Sequence, residues 1–199
     1  MEFDDLVRKR RMTRAFANES VDAAVVDRIL DAARRGPSAG NTASIEFLVL
    51  EGPDQTGRYW DTTLPADRRS SFPWPELLNA PVLIIAWVTP DAYVQRYAEP
   101  DKQQTGLGAS ADAWSVPYWF IDGGAAAMTL LLAAENEGLG ALLFGLFEHE
   151  ENVRAEFSVP VDRRAIGAIA IGRPAPDRPS RSAGRKRRPL AEIVHRGVW

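Results

Sequence analysis

Cysteine is absent from these 199 residues, which excludes disulfides, thiolate nucleophiles and iron–sulfur ligation together. Histidine is nearly absent too. His149 and His195 are the only two, too few for a histidine-based metal site within one chain, so no metal is expected. The longest apolar stretch, Ile121 to Ala134, carries Asp122 and two glycines at its front and falls short of the roughly 20 residues a membrane span needs. The opening Met-Glu-Phe-Asp-Asp has neither the basic nor the apolar region of a secretory leader, and the expected location is the cytoplasm. A dinucleotide fingerprint is also missing. Gly138-Leu139-Gly140 lacks the third glycine and precedes a strand-like segment instead of following one. No nucleophile stands with a base, so no catalytic side chain is expected. Glu148-His149-Glu150-Glu151 is the nearest approach to a catalytic cluster, and on an amphipathic helix it reads as a solvated face. Net positive charge is lacking as well: the formal charge is -3, which argues against a nucleic-acid partner.

What is present suffices for one globular domain over 1–199. Hydrophobic residues make up 45%, enough to bury a sizeable core. A helix is expected over Glu2–Arg11, with Phe3, Leu6 and Val7 at helical spacing. A second follows, capped by Ser20, carrying Val25, Val26, Ile29, Leu30 and Ala33 on one face and ended by Gly36-Pro37. Strands are expected over Ile45–Glu51, stopped by Gly52-Pro53, and over Pro81–Val88, whose near-continuous apolar run suits a strand covered on both faces. Residues 53–80 show weak periodicity, with only a short helix around Leu77 and Leu78. The stretch 90–119 reads as a loop or flap, and its Trp114, Tyr118 and Trp119 fit substrate stacking or interface packing equally. Ile121–Glu137 is apolar on nearly all sides, as in a buried helix. A strand Ala141–Phe147, an amphipathic helix to Phe157 and a strand Ala165–Gly172 follow. From Pro174 to 199 the composition suits an extended arm, with a short helix at Pro189–His195.

The positive charge that the chain does carry is concentrated. Arg8-Lys9-Arg10-Arg11-Met12-Thr13-Arg14 lies near the start and Arg185-Lys186-Arg187-Arg188 near the end. Each run alone is also what a solvated helix end or a basic tail looks like. Together on an acidic protein they suggest an anion site, since guanidinium forks give a phosphate short, charge-assisted hydrogen bonds.

The order of these segments resembles the nitroreductase family of flavoproteins. Arg-Arg-Met-Thr-Arg is followed by an amphipathic helix and then Gly-Pro-Ser-Ala-Gly-Asn before a strand. The helix ending in Gly-Leu-Gly, Ile171-Gly172-Arg173-Pro174 and the Arg-x-Arg-x-Pro-Leu tail complete the pattern. The resemblance implies an α+β fold, a central mainly antiparallel sheet flanked by helices in a domain-intertwined homodimer. It also implies an FMN-dependent oxidoreductase that takes hydride from NAD(P)H through flavin N5. An electron-poor acceptor, a nitroaromatic or quinone, then follows by a ping-pong course. An FMN-dependent biosynthetic oxidase, dehydrogenase or dehalogenase is the alternative, and a non-enzymatic flavin- or nucleic-acid-binding module a more remote one.

Carried onto this sequence, the resemblance assigns Arg10 and Arg11 to the FMN phosphate and ribityl chain, and Met12 to a main-chain contact. Arg14 goes to the pyrimidine edge, and Arg185 and Arg187 to the phosphate. Pro37, Ser38, Ala39 and Asn41 would touch the ring, from the partner subunit. Phe144 and Gly145 would turn main-chain N–H groups to N5. The sequence departs from the family where Ala43-Ser44-Ile45 replaces a frequent Gln-Pro-Trp, and where Met12 replaces a hydroxyl residue.

Overall fold

The computed structural model describes residues 1–178 and 184–199. Helix α1 spans Phe3–Lys9 and α2 Ala23–Ala33. The cap of α2 is Asp22, whose carboxylate accepts from the Ala24 N–H at 2.9 Å. Ser20, the expected cap, lies exposed two residues upstream. Strand β1 covers Glu46–Glu51.

Helix α3 then runs over Gly52–Thr63, where the sequence suggested no regular element. Gly52-Pro53 both stops β1 and opens α3, because proline's fixed φ and missing N–H suit the first turn of a helix. The buried face of α3 is Thr56, Tyr59 and Trp60. A single-turn helix α4 (Ala66–Arg69) and a 3-10 turn at Pro75–Asn79 lead into β2, Val82–Val88, buried at every residue. Helix α5, Pro90–Tyr97, is a second element within what reads as a loop. Helix α6 spans Tyr118–Asn136, starting three residues before the expected Ile121. Strand β3 (Gly140–Phe144) ends earlier than expected, at the turn that begins with Gly145. Helix α7 (Glu150–Glu156) and β4 (Arg164–Gly172) complete the series.

The four strands form one antiparallel sheet in the order β1-β2-β4-β3. Side chains alternate across it. Val82, Ile84, Ala86, Ile169 and Ile171 face Val26, Ile29, Leu130 and Ala134 of α2 and α6. Leu83, Ile85, Trp87, Ala168 and Ala170 face Tyr59, Trp60, Leu77 and Val153, from α3, the Pro75–Asn79 turn and α7. The fold is thus α+β, with helices on both faces of the sheet.

Two contacts bring the ends of the chain to the β3 side. Met12 pairs with Ala141 as a parallel bridge, and Phe16 pairs with Pro174 in the opposite sense. The Ala175 N–H donates to the Ala15 carbonyl at 3.0 Å and the Ala17 N–H to that of Arg173 at 2.9 Å. The expected arm 174–199 therefore begins as a strap along residues 15–17. Part of that arm, 179–183, lies outside the described residues. Among the described residues no helix is long and apolar enough to cross a membrane.

Candidate functional site

The arginine-rich segment leaves α1 and runs along β3. Arg10 is the C-terminal cap of α1, and its Nη1 is buried without a hydrogen-bond partner. A charged donor out of reach of water and unpaired is costly, and among the described residues no acceptor reaches it. Arg11 is exposed and folds back to donate to the carbonyls of Arg8, Lys9 (3.1 Å) and Arg10 (3.0 Å), capping the unpaired carbonyls at the helix end. Met12 makes its main-chain pairing to β3, and the Thr13 N–H donates to the Ala141 carbonyl at 3.0 Å. Gly140 permits this approach: a Cβ there would stand 2.6 Å from Thr13 Oγ1.

Arg14 is partly buried. Its Nη1 donates to the Met12 carbonyl at 3.2 Å, and its backbone N–H donates to the Asp177 carboxylate at 3.2 Å. The guanidinium lies 5.4 Å from the centre of the Trp74 ring, against which Arg178 also stacks at 4.5 Å. Both are within reach of a cation–π attraction. With Phe144 and Gly145, Arg14 lines a largely apolar cavity of about 370 Å³ whose walls include Tyr59, Trp60 and Trp74. Trp60 stacks on Phe144 with ring centres 5.8 Å apart. Burial raises the Tyr59 hydroxyl above its usual pKa, so it stays protonated as a donor. Phe147 and His149 stand at the same cavity. From sequence alone His149 reads, with its acidic neighbours, as part of a solvated face.

Pro37, Ser38 and Asn41 line a second cavity, of about 360 Å³, with Ser44, Tyr93 and Asp122. It lies against Ala33 of α2 and Ala126 of α6, on the opposite side of the sheet from the first. Ala39 turns away from it into a hollow with Tyr97, Trp114 and Tyr118. Ala43 bonds within the loop, its N–H donating to Ser38 Oγ at 2.9 Å.

The structure therefore gathers Arg14, Phe144 and Gly145 around one cavity, with Arg10, Arg11 and Met12 in the adjoining stretch of chain. It holds Pro37, Ser38, Ala39 and Asn41 elsewhere. The two cavities share no lining residue. Arg185 and Arg187 are exposed on the arm beyond residue 183. Among the described residues no hydrogen bond joins them to Arg10 or Arg11. No local sequence pattern marks Trp74, Arg178 or Tyr93 as site residues. Only Asp122 carried a signal, as an acidic residue near the front of an otherwise apolar run.

Comparison with known proteins gives these features a context. The sequence model of the nitroreductase family matches residues 7–173. A protein of Methanothermobacter thermautotrophicus with the provisional name NADH dehydrogenase/NAD(P)H nitroreductase is 27% identical over 180 residues. That match covers 88% of this chain and 78% of the relative. Human iodotyrosine deiodinase 1 is 24% identical over 212 residues, covering 97% of this chain and 68% of that protein. Among solved structures, a protein of Exiguobacterium sibiricum with the provisional name nitroreductase, in complex with FMN, superposes with a TM-score of 0.74 at 21% identity. The superposition covers 98% of this chain and 97% of the other.

Proposed function

Since the chain belongs to the nitroreductase family, we propose that it is an FMN-dependent oxidoreductase that draws on NAD(P)H, acting as a cytoplasmic homodimer. The observation that carries this reading is the buried, unpartnered Nη1 of Arg10, four residues ahead of the arginine that shares a cavity with Phe144 and Gly145. A guanidinium nitrogen without an acceptor among the described residues, beside an apolar cavity lined by aromatic rings, fits a ligand that joins a phosphate to a flat aromatic system.

In this reading Arg10 and Arg11, with Arg185 and Arg187 from the arm, hold the FMN phosphate. Arg11 must then give up some of its bonds to the carbonyls at the end of α1. Met12 supplies a main-chain contact. Arg14 lies at the pyrimidine edge, where a fixed cation stabilises the negative charge that builds up on reduction. Its place over Trp74 keeps it aimed before any ligand arrives. Phe144 and Gly145 offer main-chain N–H groups to the ring. When bound there, FMN would supply hydride transfer between NAD(P)H and an electron-poor acceptor, a nitroaromatic or quinone, each visiting in turn.

The loop Pro37–Asn41 serves the site of a second copy, because it lies on the other side of the sheet from Arg14. The exposed face of α6 supports such pairing. Tyr118, Ile121 and Met128 are 44%, 49% and 40% exposed, and a side chain added at Gly124 between them would meet nothing within 4 Å. An apolar stripe with a gap of this kind suits a symmetric helix contact.

The test begins with a visible spectrum of the purified protein and a titration with FMN. A colourless protein that takes up no FMN would sink the proposal. Oxidation of NADH and NADPH with nitrofurazone or menadione then checks the acceptor class. A second reading keeps the cofactor and changes the acceptor to a halogenated one. The likeness to human iodotyrosine deiodinase over 97% of this chain favours it. Poor turnover of nitrofurazone and menadione, together with halide release from iodotyrosine by the reduced protein, would select it.

A further inference from the structure

The loop between Pro37 and Ser44 adopts a backbone its own sequence does not favour. Gly40, Asn41 and Ala43 are all left-handed, at φ 63°, 56° and 48°, and only the glycine adopts this region without steric cost. Much of what holds the loop comes from outside it. The Ala39 N–H donates to Asp122 Oδ2 at 2.8 Å, and the Tyr93 hydroxyl donates to the same oxygen at 2.7 Å. The Arg96 Nε donates to the Gly40 carbonyl at 2.9 Å, while the far end of Arg96 is gripped by both oxygens of Asp101 at 2.7 and 2.8 Å. Tyr97 lies so close that a Cβ on Gly40 would stand 2.8 Å from its ring. The stretch read from sequence as a loop or flap thus supplies, through α5, much of the frame on which Pro37–Asn41 rests.

Asp122 is the part of this frame whose chemistry packing alone does not call for. Tyr93 is buried and already packed edge-on against Trp114 and Trp119, with ring centres 6.0 Å from each. An apolar residue in place of Asp122 would keep that cluster, but would leave the Ala39 main-chain N–H without its acceptor and take one from the buried Tyr93 hydroxyl. One carboxylate oxygen taking donors from two elements fixes the loop in both distance and direction, and hydrogen bonds to a charged acceptor are the stronger kind.

We infer that Asp122 is the positioning residue of the ring-facing loop: its shared oxygen ties Ala39 to Tyr93 and so sets how Pro37–Asn41 is presented to the cofactor of a second copy. This rests on the proposed function, in which that loop faces the flavin. Asp122 acts through the loop and does not touch the reacting atoms.

Asp122→Ala, Asp122→Asn and Tyr93→Phe in the full chain test this. The first measurement is hydrogen exchange at the Ala39 amide without added cofactor. Asp122→Ala should speed it about tenfold or more, as expected when a charge-assisted bond is lost. Asp122→Asn, whose amide oxygen accepts both donors, should stay within about threefold. With FMN bound, Asp122→Ala should shift the visible absorption band and raise KM for the acceptor about tenfold. FMN affinity should fall less than it does in Arg10→Met, because the phosphate is held by other residues. Tyr93→Phe, which keeps the packing, should fall between the two and covers the case in which Asp122→Ala does not fold. Unchanged Ala39 exchange and an unshifted band in Asp122→Ala, or in Tyr93→Phe if only that variant folds, overturn the inference. If the wild-type protein takes up no FMN while Ala39 exchange responds as expected, it is the ring-facing reading that fails, and the assigned role falls with it.

Discussion

Replacing Arg10 with methionine should move two measurements in opposite directions. Arg10 Nη1 has neither solvent nor an acceptor among the described residues of the cofactor-free protein. A buried donor left unpaired costs about 1–3 kcal/mol, and the low end applies because the residue keeps some exposure. Methionine retains most of the aliphatic stem and removes the donor, so the cofactor-free protein should gain about 1 kcal/mol, or about 2–4 °C in Tm for a chain of this size. FMN affinity should fall, because charged hydrogen bonds worth about 1.5–3 kcal/mol disappear, a loss of about tenfold to a hundredfold. Urea unfolding of cofactor-free protein, followed by tryptophan fluorescence at fixed protein concentration, gives the first number. An FMN titration gives the second. With FMN at 100 times its wild-type Kd, wild type gains about 2.7 kcal/mol from ligand, whereas a variant binding about 30-fold more weakly gains under about 1 kcal/mol. A variant that loses stability without FMN and binds FMN as before would refute the reasoning. Arg10 would then be a structural cation satisfied by this chain.

Other expectations follow from close contacts and ion pairs. Gly140→Ala should destabilise by about 1–3 kcal/mol, since its Cβ would meet Thr13 Oγ1 at 2.6 Å, and should also weaken FMN uptake by displacing the arginine segment; urea unfolding and FMN titration check both effects. Gly123→Ala places a Cβ 2.6 Å from Ile166 Cγ1, so in urea unfolding the double variant with Ile166→Ala should cost at least about 0.5 kcal/mol less than the sum of the singles; strict additivity would contradict the contact. Arg96 holds the Asp101 carboxyl below its usual range. A lowered carboxyl contributes stability above its unfolded pKa of about 4 and loses it as pH falls through the folded value. The urea midpoint of Asp101→Asn should therefore lie below wild type at pH 7 and converge with it as pH drops below about 4. A gap independent of pH would exclude the ion pair as its cause.

The four strands and the two long helices against them were legible because their apolar spacing is regular. The fully buried β2 reads directly as Val-Leu-Ile-Ile-Ala-Trp-Val. Helix α3 was not legible because its buried face begins with Thr56, a polar side chain that satisfies itself by donating to the Gly52 carbonyl at 3.0 Å. With threonine counted as polar, the period dissolves. Helix α5 hides for a related reason: Tyr93 is its only fully buried residue. Among the site residues, Arg14, Phe144 and Gly145 converge as the family resemblance implied, but the partners of Arg14 are long-range. Trp74 and Asp177 reach it from distant stretches of chain, and no local pattern announces either. Asp122 was visible in sequence only as an interruption of an apolar run. Its meaning depends on Ala39, 83 residues away.

The strand order has a consequence for how the protein is made. Among the described residues β4 is the last strand in chain order, yet it lies inside the sheet, between β2 and β3. Until Gly172 has emerged from the ribosome, β3 has no strand partner and β2 exposes one edge of its apolar run. Unpaired apolar edges of this kind invite pairing with other chains. A nascent chain stalled before Arg164 would carry both of those edges uncovered. Translation through β4 is then the step that covers both edges within one sheet.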